Sequence, residues 1–124
     1  MPFVLEFHDS ELRDVVVDGR VVRWRLSAAA VRNDAGERGW LGSVELELGQ
    51  AGVIGDAAHA FGKITEGRLR HDGRDSARLD IPATLRGELE LSLRLANGAH
   101  VVAQGRALEA RLGADTRFSP DLSC

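Results

Sequence analysis

The stretch Glu88-Leu89-Glu90-Leu91-Ser92-Leu93-Arg94-Leu95-Ala96-Asn97-Gly98 alternates polar and apolar residues up to Leu95 and then closes on the pair Asn97-Gly98. A period of two puts successive side chains on opposite faces of a strand, and Asn-Gly supplies the positive φ that a two-residue hairpin turn requires. Beyond the turn, Val101 and Ala103 share one phase, whereas Leu108, Ala110 and Leu112 share the other. The apolar face therefore switches near Gly105-Arg106, where a β-bulge restores the register. This hairpin decides the fold class, because the same pattern recurs along most of the chain.

Val22, Trp24, Leu26 and Ala28 alternate with Arg23, Arg25 and Ser27; Val44, Leu46 and Leu48 with Glu45 and Glu47; Leu79 and Ile81 with Arg78 and Asp80. Asp18-Gly19 separates two valine-rich runs as a second tight turn, and His71-Asp72-Gly73 reads as a third. A second phase shift around Gly67 invites another bulge. Strands are expected at about 3–7, 12–18, 20–30, 43–48, 63–70, 77–82, 85–96 and 99–112. Two longer loops remain, 32–42 with Trp40 near its end and 49–62, in which Asp56 caps one short helical turn through Phe61. The expectation is an all-β single domain over residues 1–124, an antiparallel β-sandwich or flattened barrel built from hairpins. Trp24, Leu26, Leu46, Leu48, Leu79, Leu89, Leu91 and Leu93 should share its core.

Composition narrows the function classes. The 124 residues are 44% hydrophobic and 28% charged, so disorder and low-complexity structure are poor fits. Sixteen basic against nineteen acidic residues leave a net charge of -3, which disfavours nucleic-acid and membrane-surface partners. Of the basic residues only Lys63 is lysine, a bias expected of a GC-rich genome rather than of an arginine-based binding device. Residues 1–6 have neither the basic start nor the apolar run of a signal peptide, so a cytoplasmic location is expected. The lone cysteine, Cys124, reads as a frayed terminus and allows no intrachain disulfide.

Candidate chemistry is sparse. His8-Asp9-Ser10 contains the residue types of a serine triad, but neighbours in an extended chain point in opposite directions, which argues against one; a turn at the end of the first strand, organised by Asp9 or Ser10, explains the tripeptide better. His8, His59, His71 and His100 show no short metal-ligand spacing. No G-x-G-x-x-G or Walker pattern is present, and the few aromatic residues form no stacking platform. Arg23, Arg25, Glu45, Glu47, Glu88 and Glu90 read as the wet faces of paired strands.

Phe7-His8-Asp9-Ser10 followed by Leu12, together with Asn97-Gly98 followed by Val101 and Gly105, is similar to short bacterial all-β proteins of uncharacterised function that open with such a motif. The resemblance implies an all-β fold and transfers no catalytic residue. The expected function is a non-enzymatic binding or interaction module for an unknown protein or small-molecule partner, without cofactor or metal. Its binding residues are expected in the long loops and the first corner: His8, Asp9, Ser10, Trp40 and His59. The alternatives are an enzyme, metal-dependent or not, in which His8, Asp9, His59 and His71 converge, and a small-ligand carrier with an apolar interior. Open sheet edges lead us to expect a homodimer formed by strand or face pairing.

Overall fold

A computed structural model describes residues 2–121; Cys124 lies outside them. The strands are β1 (Phe3–Asp18), β2 (Val21–Arg32), β3 (Arg38–Leu41), β4 (Val44–Gly49), β5 (Gly52–Gly55), β6 (Gly62–His71), β7 (Arg74–Ser76), β8 (Arg78–Ile81), β9 (Ala83–Leu95), β10 (His100–Leu112) and β11 (Phe118–Pro120). One 3-10 turn, Ala57–His59, interrupts them, with Asp56 accepting from the His59 N–H as its cap. All strand pairings are antiparallel.

Six strands close on themselves in the order β1-β2-β4-β10-β9-β6 and back to β1. The seam is narrow, since β1 meets β6 only through Glu11 opposite Lys63 and Leu12 opposite Gly62. The outer strands extend this barrel: β3 and β11 continue from β2, β8 lies along the first part of β1, β5 follows β4 along β10, and β7 folds back on β6.

Alternation explains what is inside. Leu89, Leu91, Leu93 and Leu95 of β9, Val44, Leu46 and Leu48 of β4, and Val22, Trp24 and Leu26 of β2 are all buried in one continuous cluster with Leu79. Each fully buried side chain of this size contributes roughly 1.5–3 kcal/mol relative to its exposed state. Both hairpins form with their glycines at positive φ, but the turns differ from the reading: Asp18 pairs with Val21, so the first two-residue loop is Gly19-Arg20, and the Leu95 N–H donates to the Ala99 carbonyl, so the second loop is the three residues Ala96-Asn97-Gly98. The register shift in β10 falls between Gly105 and Ala107, at the expected bulge.

Several expectations need correction. β1 is one strand, not two; residues 7–10 bulge out of it without ending it. The segment expected to be a loop at 32–42 contains β3, the one at 49–62 contains β5, and β7 and β11 were not anticipated. Short strands of three or four residues, rich in glycine or charge, carry too little alternation to stand out. The second bulge lies between Ile64 and Glu66, not at Gly67. Gly67 has another duty: a Cβ there would stand 2.3 Å from Cβ of Phe7, so only glycine lets Phe7 enter the core.

Candidate functional site

The Phe7-His8-Asp9-Ser10 motif is a wide bulge. Glu6 pairs with Ala30 and Glu11 with Ala28, so four residues of β1 oppose Ala29 alone. The surplus chain is accommodated by Asp9, whose φ of 74° is a left-handed conformation that aspartate tolerates better than most residues. Phe7 turns inward and is buried, His8 turns outward, and Ser10 is fully buried. The Ser10 hydroxyl donates to the Glu6 carbonyl at 2.7 Å and accepts from the Ala30 N–H at 2.9 Å. It thus bridges β1 and β2 where the backbone ladder is broken.

Asp9 is the hinge of a small charged group. Its carboxylate meets Lys63 Nζ at 3.2 Å and His8 Nδ1 at 3.1 Å. The Lys63 ammonium, with a smaller contribution from His8, holds the Asp9 carboxyl below its usual range. Lys63 is in place because it opens β6 at the seam, opposite Glu11.

Two strands away stands Trp40. Ala30 is paired with Glu6 on one side and with Trp40 on the other, so the three form a row across β1, β2 and β3. Two strand spacings separate the outer members by about 10 Å. The small side chains of Ala28 and Ala30 make the floor of a groove of about 500 Å³, with Glu6, Asp9 and Lys63 on one wall and Arg38 and Trp40 on the other. That volume falls within the range of small-molecule sites. Trp40 is partly exposed. Its neighbour Gly39 packs so closely on Phe118 and Ser119 of β11 that no Cβ fits there. Phe118 in turn stacks on Phe3, with ring centroids 5.8 Å apart, and so ties β11 to the opening of β1.

Of the residues expected to bind, Asp9 and Trp40 line this groove, and Ser10 lies buried beneath the bulge. His8 touches Asp9 from outside the lining. His59 is not part of the groove; its imidazole is 2.8 Å from Asp56, and its carbonyl accepts from Asn97 at 2.8 Å. His71 lies elsewhere, bonded through Nε2 to the Arg86 carbonyl at 2.8 Å, and lines a separate groove with Arg74 and Leu79. The convergence of His8, Asp9, His59 and His71 required by the enzyme alternative is therefore not found. Among the described residues no group of three or more His, Cys, Asp or Glu is placed to hold a metal ion.

Glu6, Lys63, Arg38 and the two alanines were missed because strand pairing brings them together. One signal was available: Leu5 and Phe7 share a parity that Leu12 breaks, although all three are apolar. An odd step between inward residues within a strand marks a bulge.

The opposite charge pattern, on β1, β2, β4 and β10, is saturated internally. Arg25 pairs with Asp14, Arg23 reaches Glu47 at 3.1 Å, and Arg111 reaches Glu45 and Glu47 at 2.9 and 2.7 Å. Arg111 first and Arg23 second hold the Glu47 carboxyl below its usual range. Such a ladder stabilises the sheet and leaves few free charges for a partner.

Comparison of the chain with protein-family models, curated proteins and solved structures returned no match.

Proposed function

We propose that the protein is a non-enzymatic binding module that holds its partner in the groove between the Phe7-His8-Asp9-Ser10 bulge and Trp40. One observation carries this reading: a partly exposed indole and an ion-paired aspartate at positive φ, thirty-one positions apart in the chain, line one groove over a floor of alanines. An aromatic plate beside a few fixed polar groups suits a small molecule or the side chains of an extended segment. Backbone strain of the kind seen at Asp9 clusters at ligand clamps.

The geometry favours binding over catalysis. Ser10 is fully buried with its hydroxyl proton committed to the Glu6 carbonyl, and His8, His59 and His71 each bond to different neighbours. The interior-carrier reading is disfavoured by the barrel itself. Eight strands give an interior that side chains just fill, six give less, and here Trp24 and Phe7 occupy it with the leucines. We read the scaffold as a flattened barrel rather than a sandwich, because its pairings continue around the ring. No helix among the described residues is long and apolar enough to cross a membrane. The exclusion of nucleic-acid partners from this reading rests on the mild negative charge.

The test compares wild-type chain with Trp40→Ala and Asp9→Ala in native mass spectrometry after gentle purification, and in affinity capture. Ligand or partner retained by the wild type and lost from both variants supports the reading. Retention unchanged in both variants would falsify it.

A further inference from the structure

We propose that β5 is a self-association edge, through which two copies of the chain pair their barrels about a two-fold axis. The Asp56 N–H donates to the His100 carbonyl, so Asp56 faces β10, and alternation makes Ile54 and Gly52 face it too. The N–H and C=O groups of Val53 and Gly55 therefore point the other way. On that side the Ala51 N–H donates to the Arg20 carbonyl at 2.7 Å, at the end of the β1–β2 hairpin. Past Arg20, among the described residues, β5 has no strand partner other than β10.

Natural sheets guard such edges with charge, proline or cover. The other short outer strands follow this rule: β7 carries Arg74 and Asp75, β8 carries Arg78 and Asp80, and β11 ends in Pro120. The run from Gln50 to Gly55 has no charged residue at all. It also presents Ile54, which is 69% exposed, more than either Val17 or Phe61, the other large apolar side chains left in solvent.

The occupant that fits is the same strand of a second copy. An uncharged edge meets its own image without like-charge repulsion. With Val53 on the axis, the two Val53 residues exchange N–H···O=C bonds and Ile54 of each copy falls opposite Gly52 of the other; the Arg20 carbonyl beside Ala51 limits the paired stretch to these three residues. Gly52 has open space where its side chain would be and an ordinary φ, so it offers a seat for that isoleucine. Half-buried Val102, paired with Ile54 across β5 and β10, extends the apolar contact.

Sedimentation velocity of the full chain, under reducing conditions so that Cys124 cannot cross-link, tests this from about 1 to 200 µM. A dimer is expected. Ile54→Lys places a gatekeeper charge on the edge, and Gly52→Val fills the seat; each should weaken the dimer at least about tenfold while the sheet circular dichroism and thermal midpoint stay those of the wild type. A wild-type chain that is monomeric throughout overturns the proposal, and so does a dimer that a folded variant leaves at wild-type strength.

Discussion

The Ser10 hydroxyl is joined to the Ala30 N–H at 2.9 Å and to the Glu6 carbonyl at 2.7 Å, so one buried side chain replaces the backbone rung that the four-residue bulge removes. The serine expected among the binding residues is instead the clasp that holds the groove wall in shape.

Ser10→Ala should therefore destabilise the fold by about 1–3 kcal/mol, because it strands a buried donor and a buried acceptor together. Urea denaturation measures this directly. A loss below about 0.5 kcal/mol would contradict the clasp, being the scatter of ordinary surface changes.

Gly67→Ala is expected to cost about 1–3 kcal/mol through overpacking against Phe7, whose Cβ would lie 2.3 Å from the new methyl group. The two sites should be coupled. In a double-mutant cycle with Phe7→Gly, which removes the Cβ that stands closest, the Gly67 substitution should lose most of its penalty; strict additivity would mean that Phe7 is not the obstacle.

Trp24 fills the barrel centre with its Nε1 buried and without a hydrogen-bond partner. Trp24→Ala should cost about 3–5 kcal/mol. Trp24→Phe keeps most of the ring contact and removes the orphaned donor, so its cost in the same thermal unfolding assay should be less than half of that. Equal costs would show that a phenyl ring recovers none of the packing that the indole provides.

Glu47 gives the pH dependence its sign. Arg111, and then Arg23, hold its folded-state pKa below the unfolded value of about 4.3. The stability this contributes is present above the unfolded value and lost as pH falls through the folded one. Denaturation midpoints should drop as the medium is acidified below that unfolded value, less steeply in Glu47→Gln. Carbon-detected NMR titration should find the Glu47 carboxyl shifted upward in Arg111→Ala. An unmoved titration would remove Arg111 as the cause.

What the sequence disclosed, and what it withheld, follows from the range of each interaction. Trp24, Leu46 and Leu91 announced their burial because alternation is local, and the Asp18-Gly19 and Asn97-Gly98 turns announced themselves because positive φ selects glycine at fixed spacing. The pairing of Ala30 with both Glu6 and Trp40 is a matter of register between distant strands, which no local pattern encodes. Asp9 stands out in the sequence as part of a polar corner and Trp40 as an aromatic in a glycine-rich segment, but nothing local says that they share a groove. His59 was added to them from its loop alone, and the capping of its turn by Asp56 draws its side chain into a local bond instead.

Amide and indole NMR of the isotopically labelled chain, screened against a fragment library, decides whether the Asp9–Trp40 groove is the binding surface proposed above. Hits should perturb the Trp40 indole together with the amides of Asp9, Ala30 and Lys63, and Trp40→Ala should abolish them while lowering stability by no more than about 1.5 kcal/mol, well under the roughly 3–5 of a fully buried aromatic. Hits that gather elsewhere on the barrel and leave these signals unmoved would contradict it.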